Sequence, residues 1–325
     1  MLFPWLSKIK NFKDLKKEIR FQINAYNFNK VKQVIERNVT QDHEKMNIVF
    51  VTLDSCRYDS LVEASTPVLD KLGKIYPAWS PATYTLPAHI SFFTGIFPNT
   101  DEPIPYLNRF IQQLVVMEKG GKGLGAKKLG KRTITLKSSK KDMIYGLRKQ
   151  GYYTIGSGSA TWFAKDILVK NFNDFKYVQA QSAEAQCNYI LDRLSRNAIH
   201  KPFFAFMNFL ETHTPYMHYG EDRGEYSMQA RDYMKFPPLI EPALQDSFGK
   251  KLHKAQIKAA EHLDSVLGKF LPQLPNNTFV IITADHGEAF GEDGCWGHGI
   301  YHPLVMKVPM LASMLSGEDI TKEYE

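Results

Sequence analysis

TFVIITADHGEAFGEDGCWGHG, residues 278–299, joins a run of apolar and β-branched residues to an acid, a histidine and a glycine-rich loop. The seven residues from Thr278 to Ala284 are short for a helix and too continuously apolar for a strand wetted on one face. They predict a strand buried on both sides. NIVFVTL (47–53) has the same character and also ends in an acid, Asp54. FFAFMNF (203–209) and TIGSGS (154–159) complete a set of four predicted strands. Helical periods in SKKDMIYGLRKQ (139–150), AEAQCNYILDRLSR (183–196) and KLHKAQIKAAEHLDSVLGKFLPQL (251–274) alternate with them. Such an order argues for an α/β fold: a mostly parallel or mixed central sheet flanked by helices on both faces.

A chain of 325 residues with 43% hydrophobic content can bury one large core, so one main domain over 46–325 is expected. Residues 1–45 form a separate extension in which Trp5, Ile9, Phe12, Leu15, Ile19, Ile23 and Tyr26 recur every three or four positions. That spacing predicts an amphipathic helix. Ten Lys or Arg against five acids give the segment a net charge of +5. It either docks on the main domain with a solvated basic back or makes peripheral contact with an anionic membrane. A basic, glycine-rich loop at 118–141 lacks the GxxxxGK[ST] spacing of a phosphate loop, and Pro- and charge-rich residues 214–250 look like a cap-like insertion. Neither basic segment interleaves free aromatics for base stacking, so no nucleic-acid partner is expected. Cys56, Cys187 and Cys295 are odd in number and show no CxxC spacing, which fits a reducing compartment and a cytoplasmic location. No run reaches the roughly 18 apolar residues of a membrane span.

In open sheets of this kind ligands bind beyond the carboxyl ends of the strands. Asp54, Asp285 and His286 all fall there. Either acid alone would serve equally as a cap for the helix that follows. Two carboxylates and an imidazole gathered at one edge, however, call for a positive charge between them. A divalent metal answers that need, and mixed Asp and His ligation suits Zn²⁺ or Mn²⁺ better than Mg²⁺ or Ca²⁺. In SPATYTLPAHISFFTG (80–95), Pro87 marks the first turn of a helix and places Thr85 at its start. Thr85 is there either a plain N-cap or a nucleophile, its hydroxyl activated by the metal and facing a helix terminus that favours an anionic phosphoryl group.

VTLDSCRYDS, TLPAHISFFTG, FLETHTPY, LDSVLGKFLPQL and ITADHGEAFGEDGCWGHG, occurring in this order and followed by VPML, together resemble the alkaline phosphatase superfamily, in its sulfatase-like branch. The resemblance implies one metal held by Asp54, Thr85, Asp285 and His286, with substrate contacts from His213 and His298. His89 and His302 stand near enough in the motifs to contact substrate as well, and His302 is an alternative to His298 as proton donor. The chain departs from sulfatases in ways that matter. Thr85 occupies the position of their formylglycine precursor, His89 replaces the motif's arginine, Ser159 replaces a lysine, and Ser55 replaces the second Asp of their DD pair. Sulfate ester hydrolysis is therefore disfavoured. The expected activity is metal-dependent hydrolysis of a small phosphodiester or phosphonate ester through a phosphothreonine. The alternatives are a phosphotransferase acting on an alcohol and a noncatalytic binding protein. Arg57 is expected to pair with Asp59. Glu288 and Glu292 are expected either to be solvated or to stand behind the ligands, and a second metal would need His213, His298, His302 or Asp264.

Overall fold

The computed structural model describes residues 45–95, 115–117, 134–136, 142–179, 182–197, 201–216 and 242–315. The predicted N-terminal helix, most of the 118–141 loop and residues 217–241 of the insertion lie outside them. In chain order the elements are β1 (Asn47–Leu53), α1 (Tyr58–Glu63), α2 (Pro67–Leu72), β2 (Tyr76–Trp79), α3 (Thr85–Thr94), β3 (Val115–Met117), β4 (Ile134–Leu136), α4 (Met143–Lys149) and β5 (Tyr153–Gly158). Then follow α5 (Asp166–Val169), β6 (Asp174–Tyr177), α6 (Ala183–Asn197), β7 (Phe203–Phe209), α7 (Pro242–Phe270), β8 (Thr278–Ala284), β9 (Ala289–Phe290), β10 (Trp296–Gly297), α8 (Pro303–Met306) and β11 (Lys307–Met314).

Seven strands form one mixed sheet in the order β2-β11-β8-β1-β7-β5-β6. From β8 through β6 all neighbours are parallel, and β11 runs antiparallel to both β8 and β2. The alternation along β1 shows how the two faces are filled. Val49, Val51 and Leu53 pack with Leu69, Ile190, Leu263 and Phe270 of the helices on one side. Phe50 points the other way, into a cluster containing Ile90, Phe93, Phe163 and Phe206. Because both faces are covered, the central strands carry no polar face, which is why they read as unbroken apolar runs. No helix among the described residues is long and apolar enough to cross a membrane.

The sequence places the start of α7 at residue 251, but the helix begins at Pro242. The end of the supposed insertion is thus its first turns. The interruption that hid them includes Gly249, whose Cβ, if present, would sit 1.9 Å from the Phe290 carbonyl oxygen. The loop behind the DHG motif crosses the helix at that point, and only glycine admits it. Gly249→Ala is expected to cost about 1–3 kcal/mol through overpacking, against the usual gain from removing a helical glycine. Thermal unfolding of the variant should fall by several degrees; an unchanged or raised Tm would show that the crossing relaxes.

Candidate active site

β1 and β8 are adjacent and paired through Leu53 and Ala284. Asp54 and Asp285 are the next residues on each, so the sheet itself sets them side by side. The chain then turns sharply after β1 at Ser55, whose φ of 62° is left-handed. That turn aims the Ser55 N–H at Asp285 Oδ1, 3.1 Å away, and the His286 N–H reaches the same oxygen at 3.0 Å. Asp54 Oδ2 accepts from Asn208 Nδ2 at 3.2 Å, a side chain delivered by the end of β7.

Thr85 is the first helical residue of α3 rather than its cap; Tyr84 holds the cap position and makes no side-chain capping bond. The Thr85 hydroxyl therefore does not serve as a plain N-cap. It faces His286 Nε2 at 3.5 Å. From the same nitrogen Asp54 Oδ1 is 3.8 Å and Asp285 Oδ2 3.6 Å away. These are too long for hydrogen bonds. They approach the edges, about 3.3–3.6 Å, of a tetrahedron of ligands around an ion such as Zn²⁺ at about 2.0–2.2 Å.

The donor chemistry fits a cation in the same way. His286 Nδ1 lies 2.9 Å from the Gly287 carbonyl, which can only accept, so Nδ1 carries the proton and Nε2 turns its lone pair inward. Asp285 Oδ2 is buried and has no hydrogen-bond partner. Burial, and then repulsion from Asp54, push the Asp285 carboxyl well above the usual range. Burial, and then the neighbouring His298, push the His286 imidazole well below its own. A divalent ion would fill the vacant coordination of Oδ2 and offset the repulsion. Asp54, Asp285 and His286, all three buried, each bring one ligand atom within 4.8 Å of the others. Among the described residues the other such cluster is Asp59, Glu63 and His253. It fits a metal poorly, because the Arg57 guanidinium already binds both Asp59 oxygens. Asp264, considered for a second ion, instead accepts from the Val68 and Leu69 N–H groups at 3.1 and 2.9 Å and caps α2.

The histidines divide. His213, His298 and His286 form a row, with ring centroids 5.1 and 4.5 Å apart. His298 Nδ1 lies 3.0 Å from Glu288 Oε2, and since a carboxylate accepts, Nδ1 carries the proton of that contact and the ring is held by it. His89 does not reach substrate. It is wholly buried, edge-on to Phe92, Phe93, Phe163 and Phe206, and burial lowers its pKa to about 4. The neutral ring donates from Nδ1 to the Thr85 carbonyl at 2.8 Å and accepts at Nε2 from Thr52 Oγ1 at 3.0 Å. Thr52 in turn accepts from Asn208. His89 thus ties the start of α3 to the residue that holds Asp54, a positioning role. His302 is also withdrawn: its Nδ1 accepts from the Leu304 N–H at 3.2 Å, capping α8, and its Nε2 meets Asp293 at 3.3 Å.

Arg57 pairs with Asp59 and, at 2.6 Å, with Glu292. Sequence reasoning missed Asn208, Thr52 and Gln256. Gln256, midway along α7, donates to the carbonyls of Ser55 and Thr212 at 2.8 and 2.9 Å and accepts from the Arg57 N–H and the Ser60 hydroxyl. A glutamine in a helix gives no signal of this in one sequence; only the contact reveals it. Of the two places the sequence allows Glu288, solvated or behind the ligands, the structure has it buried, with His298 as its partner. Burial raises the Glu288 carboxyl, but the charge of and hydrogen bond from His298 outweigh it and hold it below the ordinary value. Glu288→Ala is expected to lower turnover about 10–100-fold with metal content unchanged, with Glu288→Gln, which keeps an acceptor, recovering much of it. Loss of metal in the alanine variant would instead mark Glu288 as part of the ion's own support.

Comparison with known proteins gives a consistent picture. A family model described as Sulfatase matches residues 46–315. Similar solved structures include the C-terminal periplasmic domain of EptC from Escherichia coli in complex with Zn, 15% identical over 86% of this chain and 75% of that one, TM-score 0.53. The C-terminal periplasmic domain of phosphoethanolamine transferase EptC from Campylobacter jejuni is 15% identical over 83% and 79%, TM-score 0.55. Phosphonate monoester hydrolase of Agrobacterium radiobacter is 14% identical over 82% and 68%, TM-score 0.53. Among curated proteins no sequence matches.

Proposed function

The chain belongs to the sulfatase family, within the sulfatase-like alkaline phosphatase superfamily, and we propose that it is a metal-dependent phosphoesterase using Thr85 as nucleophile on a phosphodiester or phosphonate ester. The observation that carries this reading is the convergence of Thr85 Oγ1, Asp54, Asp285 and His286 at one buried point. An ion held by these four, Zn²⁺ or Mn²⁺ by ligand type, would supply Lewis acidity and lower the pKa of the Thr85 hydroxyl.

The remaining steps belong to the chain. Thr85 sits at the amino end of a ten-residue helix whose terminus favours an anionic group. Its Oγ1, having released its proton to solvent on activation, forms a bond to phosphorus as the bond to the leaving oxygen breaks. His298 Nε2, oriented by Glu288, gives its proton to that oxygen. His213, beside it, donates to a nonbridging oxygen where charge gathers. The now neutral His298 accepts a proton from water, whose oxygen attacks phosphorus as the bond to Oγ1 breaks, and Thr85 returns in the deprotonated form with which it began. An alcohol in place of water would make the same sequence a transfer.

Ser159 favours phosphate over sulfate chemistry as well. It is buried, and its hydroxyl accepts from Gln186 Nε2 at 2.9 Å, so no cation projects from that position. The test is a panel of bis-p-nitrophenyl phosphate, p-nitrophenyl phosphate, p-nitrophenyl phenylphosphonate and p-nitrophenyl sulfate with metal-loaded protein. Turnover of the diester or phosphonate ester ahead of the sulfate is the expected result. Sulfate turnover alone would overturn the proposal. Trapped phosphothreonine that is released only when an alcohol is added would select the transferase.

A further inference from the structure

A cavity of about 470 Å³ opens far from the active centre, at the amino ends of the parallel strands. Tyr145, Tyr152 and Tyr153 form its half-buried walls, and Arg148, Lys149 and Lys201 stand exposed around it. Asp54 and Ser159 follow the opposite ends of β1 and β5, so the length of the strands, roughly 20 Å, separates the two places.

Charge distinguishes this cavity. Three cations converge from two separate segments, and among the described residues no carboxylate lines it. The nearest acids already have partners. Asp142 caps α4 and holds Asn171, while Asp174 takes the Tyr189 hydroxyl at 2.6 Å, Arg193 at 3.3 Å and, at 3.5 Å, the hydroxyl of the wall residue Tyr153. The basic residues partly serve the carboxyl end of α4, whose macrodipole amounts to about half a negative charge. Lys45 Nζ donates to the Gln150 carbonyl at that end, while Arg148 Nη1 donates to the Asn171 carbonyl at 3.1 Å, on the segment after α5. Lys149 stands over the Tyr145 ring at 5.6 Å, and neither it nor Lys201 has a carboxylate partner among the described residues. Half a charge does not balance three cations, so the cavity is left strongly positive.

We propose that this cavity is a second, noncatalytic site that binds a phosphate group. An arginine fork and two lysine ammonium groups match a tetrahedral dianion, and the tyrosine walls can pack against whatever the phosphate is attached to. A soluble phosphorylated ligand and an anionic lipid headgroup present the same chemistry here. The inference does not depend on the catalytic reading.

The experiment is lysine acetylation footprinting of the full chain, read by mass spectrometry at Lys149 and Lys201. Protection of both by inorganic phosphate supports the site and a soluble ligand. Protection by vesicles of phosphatidylcholine with phosphatidylglycerol, and not by phosphatidylcholine alone, supports it with a lipid headgroup. In either case Arg148→Glu, a change at an exposed position, should raise the concentration needed for protection about tenfold or more and leave ester turnover as it was. Absence of protection by both probes, or protection that Arg148→Glu does not weaken, overturns the proposal.

Discussion

Thr85→Ala should reduce turnover of the preferred ester on the order of 10⁴-fold or more while leaving the fold, and most of the bound metal, in place. The asymmetry follows from what the residue does. Its hydroxyl is one of four groups facing the ion position, so its loss leaves Asp54, Asp285 and His286 to hold the metal. Removing the attacking atom, by contrast, removes the covalent route altogether, and residues that act as a unit lose most of their effect together. Alanine is also a better helix former than threonine, and His89 bonds the backbone carbonyl of residue 85 rather than its side chain. The helix start should therefore survive. The measurements are kcat/KM and metal content on the same preparation. Residual activity within about tenfold of wild type would end the case for a threonine nucleophile. Loss of metal along with activity would assign Thr85 mainly to the ion.

Asp285→Asn should move stability in opposite directions depending on whether metal is present. With metal, the variant loses an anionic ligand, and its affinity should fall by more than the 10–100-fold typical of an outer partner. The stabilisation that bound metal lends the fold falls with it. Without metal the sign reverses. The Asp285 carboxyl is raised above its unfolded value by burial and by Asp54. Such a group favours the folded state at pH below its unfolded pKa and loses that contribution as pH rises through the folded value. At neutral pH the metal-free wild type thus carries a cost that asparagine does not. Asparagine still accepts at Oδ1 from Ser55 and His286. Metal-free Asp285→Asn is expected to be more stable than metal-free wild type by about 1–3 kcal/mol, with the margin growing as pH rises. Thermal melts with chelator and with added Zn²⁺ decide it. Destabilisation of equal size in both would make Asp285 an ordinary structural acid.

The central strands were legible because burial on both faces leaves no alternative to an apolar run. NIVFVTL, FFAFMNF and TFVIITA coincide with β1, β7 and β8, and TIGSGS lies one residue from β5. The edge was not legible. β2 is YPAW, and β11 carries Pro309 within it; proline argues against a strand, and only an edge or near-edge position with an antiparallel partner accommodates it. In the site, residues that follow a strand directly could be placed, since the strand ends locate Asp54, Asp285 and His286. Histidines in loops could not be sorted. His298 and His302 are four residues apart in one loop, yet one faces His286 and the other caps a helix. Between them the chain turns at Gly299, with φ of 81°, and the spacing of the two histidines does not say which way each ring faces. Asn208 reads as one more member of an apolar strand, although its amide reaches Asp54.

The pairing of Leu53 with Ala284 has a consequence for what an ion would do at the site. Its two candidate carboxylate ligands, Asp54 and Asp285, are spaced by a backbone ladder that belongs to the sheet itself. In the metal-dependent reading an ion therefore enters a site whose two acids already stand side by side, and its work is to relieve their repulsion rather than to gather them.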